Sequence, residues 1–275
     1  MRSWPAGATS LDGVGTAALV IENDPSDGLG RLGDWLTEAG LPLTVLRPHA
    51  GDELPGTLDG FAALVVLGGD QNAYPDEAGV PGAPWFPALE GLLRKAVRYR
   101  VPTLAICLGG QLLAAAHGGR VERSTSGPEI GPGLIGKRDA ADTDPLFKWV
   151  PLLPDVTQWH RDEITELPLT AVLLAASSRF PIQAFRIGDR AWGTQFHIEC
   201  DVPMIENWAR DDAATLDELG YDPESVVLAT AESLPDVEEV WQPFAQRFAS
   251  LALGTLPDAD IPNLGTGRTL PLLGQ

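Results

Sequence analysis

Residues 102–114, PTLAICLGGQLLA, make the chain change course within a few positions. Pro102 to Ile106 is a short apolar run, whereas from Leu108 the spacing turns helical, with Leu112, Leu113 and Ala116 able to share a face. Cys107, Gly109 and Gly110 fill the junction. A strand that becomes a helix so abruptly tolerates only small residues around the bend. Either this is a tight turn that contains a buried thiol, or the turn exists to hold the thiol up.

The rest of the first half alternates in the same way. TAALVIEN (16–23), LTVLRP (43–48) and FAALVVLGG (61–69) read as strands. Helices are predicted over about 27–39, with Leu29, Leu32, Trp35 and Leu36 on one stripe and Gly40 as the stop, and over 84–100. Such alternation specifies a parallel sheet covered on both faces. Beyond residue 118 the pattern changes to short, turn-separated strands: GRVER, GLIGKRD, VTQWH, AVLLAAS, IQAFRIG and RAWGTQFHI, some of them antiparallel. From Asp201 the chain becomes helical and acidic over about 202–219, 223–233 and 237–252, and 253–275 reads as an extended or mobile tail.

Composition narrows the functional classes. The formal charge of −19, from 19 basic and 38 acidic residues, disfavours nucleic acid as a partner. No apolar run approaches the roughly 18 residues of a membrane helix. MRSWPAGATS lacks the apolar core of a signal peptide, which makes the cytoplasm the default expectation. Two cysteines, Cys107 and Cys200, are too few for a disulfide scaffold.

A strand–turn–helix with small residues around a nucleophile is the geometry of a nucleophile elbow. Ala105 and Gly109 bracket Cys107 at −2 and +2. The following helix would direct its N-terminal dipole at the sulfur, and the N–H of Leu108 is placed to stabilise an oxyanion. A thiol nucleophile needs a base, and the base needs an orienting carboxylate. Of four histidines, His197 in WGTQFHIEC has Glu199 two residues later, on the same face of an extended chain. His117 follows the elbow helix and is read as packing or capping its end, and His49 has no evident acid partner. Cys200 is read as a thiol filling a gap beside the strand end.

Four segments, taken in order, resemble the class I (triad-type) glutamine amidotransferases: LGG at 67–69, AICLGGQLLAAAHGG around Cys107, WHRDE at 159–163 and AWGTQFHIE at 191–199. The likeness spans roughly residues 15–200 and is greatest to stand-alone members related to the amidotransferase domain of GMP synthase. It implies a flavodoxin-like α/β domain over residues 1–200, with a mostly parallel central sheet and a smaller antiparallel region. A helical extension (201–252) would pack on it. The resemblance further implies Cys107 as nucleophile, His197 as general acid and base, Glu199 as its orienting group, and Gly69 and Leu108 as oxyanion donors. Gly68, Gln111, His160 and Arg161 would contact substrate; no metal or cofactor is implied.

The chain departs from the family pattern at three places. The first turn reads GGDQ, with Asp70 where relatives often have proline; His197-Ile198-Glu199 stands for the frequent His-Pro-Glu; and Arg161 replaces the glycine of the frequent His-Gly-Asp. Arg161 could crowd the substrate's amino-acid end, point outward, or pair with a carboxylate. The expected activity is hydrolysis of the glutamine side-chain amide through a γ-glutamyl thioester. The ammonia would pass to a separate synthetase subunit, because no P-loop is present. The alternatives are a γ-glutamyl hydrolase or peptidase and an inactive binding subunit.

Overall fold

The computed structural model describes residues 15–257. In chain order the elements are β1 (Ala17–Ile21), α1 (Gly30–Glu38), β2 (Leu43–Leu46), β3 (Phe61–Val66), α2 (Phe86–Tyr99), β4 (Thr103–Ile106) and α3 (Leu108–Ala116). Short strands follow: β5 (Arg120–Arg123), β6 (Glu129–Leu134), β7 (Gly136–Lys137), β8 (Asp155–His160), β9 (Asp162–Glu166), β10 (Ala171–Ala176), β11 (Ala184–Ile187) and β12 (Ala191–Thr194). The chain then forms α4 (Val202–Asp211), α5 (Ala213–Glu218) and α6 (Pro223–Ala252).

The central sheet has the order β2-β1-β3-β4-β12-β11-β10-β7. Its first five strands run parallel, and beyond β12 the last three each pair antiparallel with the strand before them. Two antiparallel pairs, β5–β9 and β6–β8, stand apart from it. The apolar runs explain this arrangement. In β1, Ala18 and Val20 enter one core and Leu19 and Ile21 enter another, so both faces of the strand are covered. Leu32, Trp35 and Leu36 of α1 close the first core, and α2 and α3 close the second.

Val237, Trp241, Phe244 and Phe248 of α6 share the first core with Val20, Val65 and Ile106. Trp241 is fully buried and donates its indole N–H to the Asp155 carbonyl at 2.8 Å. The helices therefore differ from the pattern predicted for them. Residues 223–252 form one helix with Pro235 and Pro243 inside it, not two segments. Each proline removes a backbone donor, and the buried side chains on either side keep the helix continuous. The predicted helix 202–219 is broken at Asp212, whose side chain is engaged elsewhere (below). Only its first residues, to 257, bring the predicted tail within the described range. Among the described residues, no helix is long and apolar enough to cross a membrane.

Candidate active site

Four parallel strands, β1, β3, β4 and β12, end at the same edge of the sheet, and their following loops carry the candidate residues. This is where open α/β sheets form crevices. Cys107 follows β4 directly, with φ +50° and ψ −111°, a left-handed conformation for a residue that has a Cβ. Its N–H donates to the Thr194 carbonyl at 2.8 Å, and its carbonyl accepts from Gln111 N at 2.9 Å. The bend is tight. A Cβ at Gly109 would lie 2.3 Å from the Val66 carbonyl oxygen, and one at Gly110 would lie 2.6 Å from that of Thr194.

Gly69 and Leu108 lie side by side: a Cβ on Gly69 would be 3.0 Å from Leu108 Cδ2. Among the described residues neither N–H of this pair has a hydrogen-bond acceptor. Gly69 has φ +155°. The turn before it is fixed by Asn23, whose amide donates to the Leu67 carbonyl at 2.9 Å while its oxygen accepts from Trp85 Nε1 at 3.0 Å.

β12 ends at Thr194, three residues before His197. The intervening chain stays extended because His197 forms a single antiparallel bridge with Thr157. Nδ1 of His197 lies 2.6 Å from Glu199 Oε1, and Glu199 Oε2 accepts from the Ile198 N–H at 2.8 Å. The Glu199 carbonyl accepts from Arg31 N at the start of α1, which pins the carboxylate's backbone. Trp208 of α4 packs on the imidazole, with centroids 4.7 Å apart. His197 Nε2 is buried with no hydrogen-bond partner. Burial opposes the imidazolium, but the charges of Glu199 and Cys107 and the hydrogen bond to Glu199 outweigh it, so the pKa is raised well above the ordinary histidine value.

An open pocket of about 540 Å³ adjoins Cys107 and includes Gly69, Asp70, Gln111, His160, Arg161 and Asp212 in its wall. Gln111 donates to Gln195 Oε1 at 3.2 Å, and Gln195 Nε2 lies 3.7 Å from Cys107 Sγ. His160 is held by the Asp162 carbonyl (3.0 Å) and Glu129 (3.2 Å). Arg161 occupies the bend between β8 and β9, so the WHRDE segment spans the end of one strand and the start of the next. Of the three options for Arg161, the structure shows pairing. Its guanidinium meets Asp212 and also donates to Thr215 Oγ1 at 3.1 Å, both from the helical region. Gly68 is buried beneath the site; a Cβ there would lie 2.6 Å from Asp27 Oδ1 and 3.3 Å from His197 Cε1. His117 lies at the end of α3, with Nδ1 2.9 Å from the Leu113 carbonyl.

Sequence reasoning missed several neighbours. Asp27, in the turn after β1, is buried beside His197. Burial raises its pKa to about 6, against the lowering effects of His197 and Ser26. Gln195, Trp208 and Asp212 were also not singled out. Asp212 accepts from Trp159 Nε1 at 2.8 Å as well as from Arg161, which accounts for the helix break. The sequence marks this only as the acidic doublet Asp211-Asp212. Cys200 is buried, and burial together with Glu199 pushes its thiol up to about 12.

The family model for glutamine amidotransferase class-I matches residues 34–202. The glutamine amidotransferase-like protein YfeJ of Salmonella typhimurium is 31% identical over 188 residues, 68% of this chain and 77% of that protein. Gamma-glutamyl peptidase 4 of Arabidopsis thaliana is 32% identical over 52% of this chain and 55% of its own length. The GMP synthase of Christiangramia forsetii is 31% identical over 54% of this chain, but only 26% of that longer protein is matched. A crystal structure of a glutamine amidotransferase from Thermotoga maritima superposes with a TM-score of 0.74 at 26% identity, covering 86% of this chain and 98% of that one. The chain belongs to the class-I glutamine amidotransferase family.

Proposed function

We propose that this chain hydrolyses a γ-glutamyl amide through a thioester on Cys107, with free glutamine as the simplest substrate. The observation that carries this reading is the buried His197–Glu199 pair, whose unpartnered Nε2 serves a thiol held on a strained elbow. The Cys107 thiolate attacks the γ-carbonyl carbon, and the oxyanion takes the free N–H groups of Gly69 and Leu108. Imidazolium His197 protonates the leaving nitrogen as the C–N bond breaks. Water then attacks the thioester, giving its proton to His197, and glutamate leaves with the thiol pair restored. Glu199 orients the imidazole and stabilises its cation. Gln111, His160 and Arg161 line the pocket for the glutamyl group, whereas Gly68, expected to contact substrate, lies beneath it and leaves room for Asp27 and His197. With glutamine the product ammonia would be used by a separate acceptor-activating enzyme, as the relatives named synthases suggest.

A second reading, a γ-glutamyl hydrolase or peptidase, is favoured by one observation. Beside Cys107 the open crevice continues past Trp159 and Asp212 to Ser26, Asp27, Trp208 and Asp211. Ammonia needs no such extension; a larger leaving amine could use it. Measuring amine and ammonia release from glutamine and a panel of γ-glutamyl amides tests both. Turnover that survives Cys107→Ala contradicts the mechanism.

A further inference from the structure

Two carboxylates approach the imidazole of His197, and the mechanism above uses only Glu199, which holds Nδ1. The other is Asp27, from the turn after β1. A Cβ on Gly68 would meet Asp27 Oδ1 at 2.6 Å and His197 Cε1 at 3.3 Å. At most the breadth of one missing methyl group therefore parts this oxygen from the edge of the ring between its two nitrogens. Trp208 covers a face of the same ring, and His197 is 1% exposed. Asp27 also lines the crevice that contains Cys107.

The Asp27 carboxylate is poorly provided for. The residue is buried. Its Oδ2 lies 2.9 Å from Ser26 Oγ, which also lies 2.8 Å from Asp24 Oδ1, and one hydroxyl hydrogen serves one of the two carboxylates at a time. Among the described residues Oδ1 has no hydrogen-bond partner. Burial opposes the negative charge most; His197 favours it, and Glu199 and Asp24 oppose it. The remaining charged groups along this stretch of crevice, Asp70, Asp211 and Asp212, are acidic too. An asparagine would fill the same space without a charge to bury. A buried carboxylate with so little hydrogen bonding costs stability, and such groups belong to working sites. The cation it faces is His197.

We infer that Asp27 is a positioning residue of the acid–base step: as a carboxylate it stabilises the His197 imidazolium at the Cε1 edge while Glu199 holds Nδ1. This rests on the reading of His197 as the acid and base of the thioester reaction and adds a member to that machinery. The proton inventory is unchanged, because Asp27 exchanges no proton with substrate. The imidazolium is the donor as the amine leaves, and it forms again as water attacks the thioester. A fixed negative charge beside the buried ring favours both steps. Asp27 is a carboxylate above about pH 6 and an acid below it, so its help is present at higher pH and lost as pH falls through that value.

The test compares wild type and Asp27→Asn in kcat and KM for glutamine, or for the γ-glutamyl amide that wild type turns over fastest. At about pH 8 the variant's kcat should be about tenfold lower, the effect of one charge near a buried imidazolium. KM should hold, because Asp27 is not in the wall of the glutamyl pocket. The ratio of the two kcat values should shrink toward one near about pH 5, where wild type has itself lost the charge. A merely structural role would not give a ratio that follows this ionisation. Equal kcat at every pH, a ratio that does not change with pH, or an effect confined to KM overturns the inference alone. Absence of turnover by wild type overturns the thioester reading and the inference together. If Asp27→Asn does not fold, NMR of histidine-labelled wild type decides. The Cε1–H signal of His197, identified by its loss in His197→Gln, should stay at an imidazolium position and move with a midpoint near pH 6 as Asp27 ionises. A signal that does not move through that range overturns the inference.

Discussion

The guanidinium of Arg161, on the bend between β8 and β9, pairs with Asp212 at the break between α4 and α5. One contact thus joins the pocket wall to the helical region beyond the family match, which ends at residue 202. The side chain of Arg161 is about one-third exposed, so solvent screens the pair and its value is modest. A double-mutant cycle with Arg161→Ala and Asp212→Ala should give a coupling of about 1 kcal/mol in urea unfolding. The kinetic effect should be larger. Arg161→Gly leaves Asp212 uncompensated in the wall, so KM for glutamine should rise severalfold with a smaller change in kcat. Wild-type kinetics in that variant would show that Arg161 has no part in binding.

Asp27 should make stability depend on pH. Its folded pKa, raised to about 6, lies above its unfolded value. As pH rises from about 4 through 6, the unfolded state gives up this proton first, so the native state loses stability. Asp27→Asn removes the effect. The variant should match wild type near pH 4 and exceed it near pH 7.5 by on the order of 2 kcal/mol, read from paired urea titrations. A variant less stable than wild type at both pH values contradicts this.

Much of this site was legible in the sequence, and the reasons differ between residues. Cys107 was visible because a bend without room demands glycines at fixed offsets, and the clashes at Gly109 and Gly110 show that demand. His197 and Glu199 were visible because an extended chain sets i and i+2 on one face, although β12 itself stops earlier. Asp27, Gln195 and Trp208 were hidden. Each reaches the site through tertiary packing and has no local pattern of its own. The continuous α6 was hidden for the opposite reason: Pro235 is a strong local breaker that burial of Leu234, Val237 and Trp241 overrides.

Thiol reactivity should separate the two cysteines. Cys200 is buried and its thiol is pushed up to about 12, so it holds its proton at neutral pH. A glutamine-analogue electrophile should label Cys107 alone in the folded protein, as peptide mass spectrometry would read. Labelling confined to Cys200 contradicts the assignment.

The elbow glycines should be intolerant of a methyl group. In Gly109→Ala the new Cβ meets backbone oxygen, which has no rotamer to yield. A loss of at least about 2 kcal/mol is expected, measured by urea unfolding, against little loss for Gly91→Ala, where a Cβ meets nothing.

Glu199→Gln should shift the pH profile of activity. Against the opposing effect of burial, the Glu199 charge is the largest influence that keeps the His197 imidazolium. Its removal lowers the histidine pKa, so the alkaline fall in kcat should begin at lower pH than in wild type. An unmoved limb would assign that ionisation to another group.

The most direct measurement is capture of the acyl-enzyme. Hydroxylamine added during turnover of glutamine or a γ-glutamyl amide attacks a thioester and releases the γ-glutamyl hydroxamate. The account predicts hydroxamate formation by the wild-type protein, at the expense of glutamate, and none by Cys107→Ala. Turnover without hydroxamate, or hydroxamate formed equally by Cys107→Ala, would contradict a thioester on Cys107.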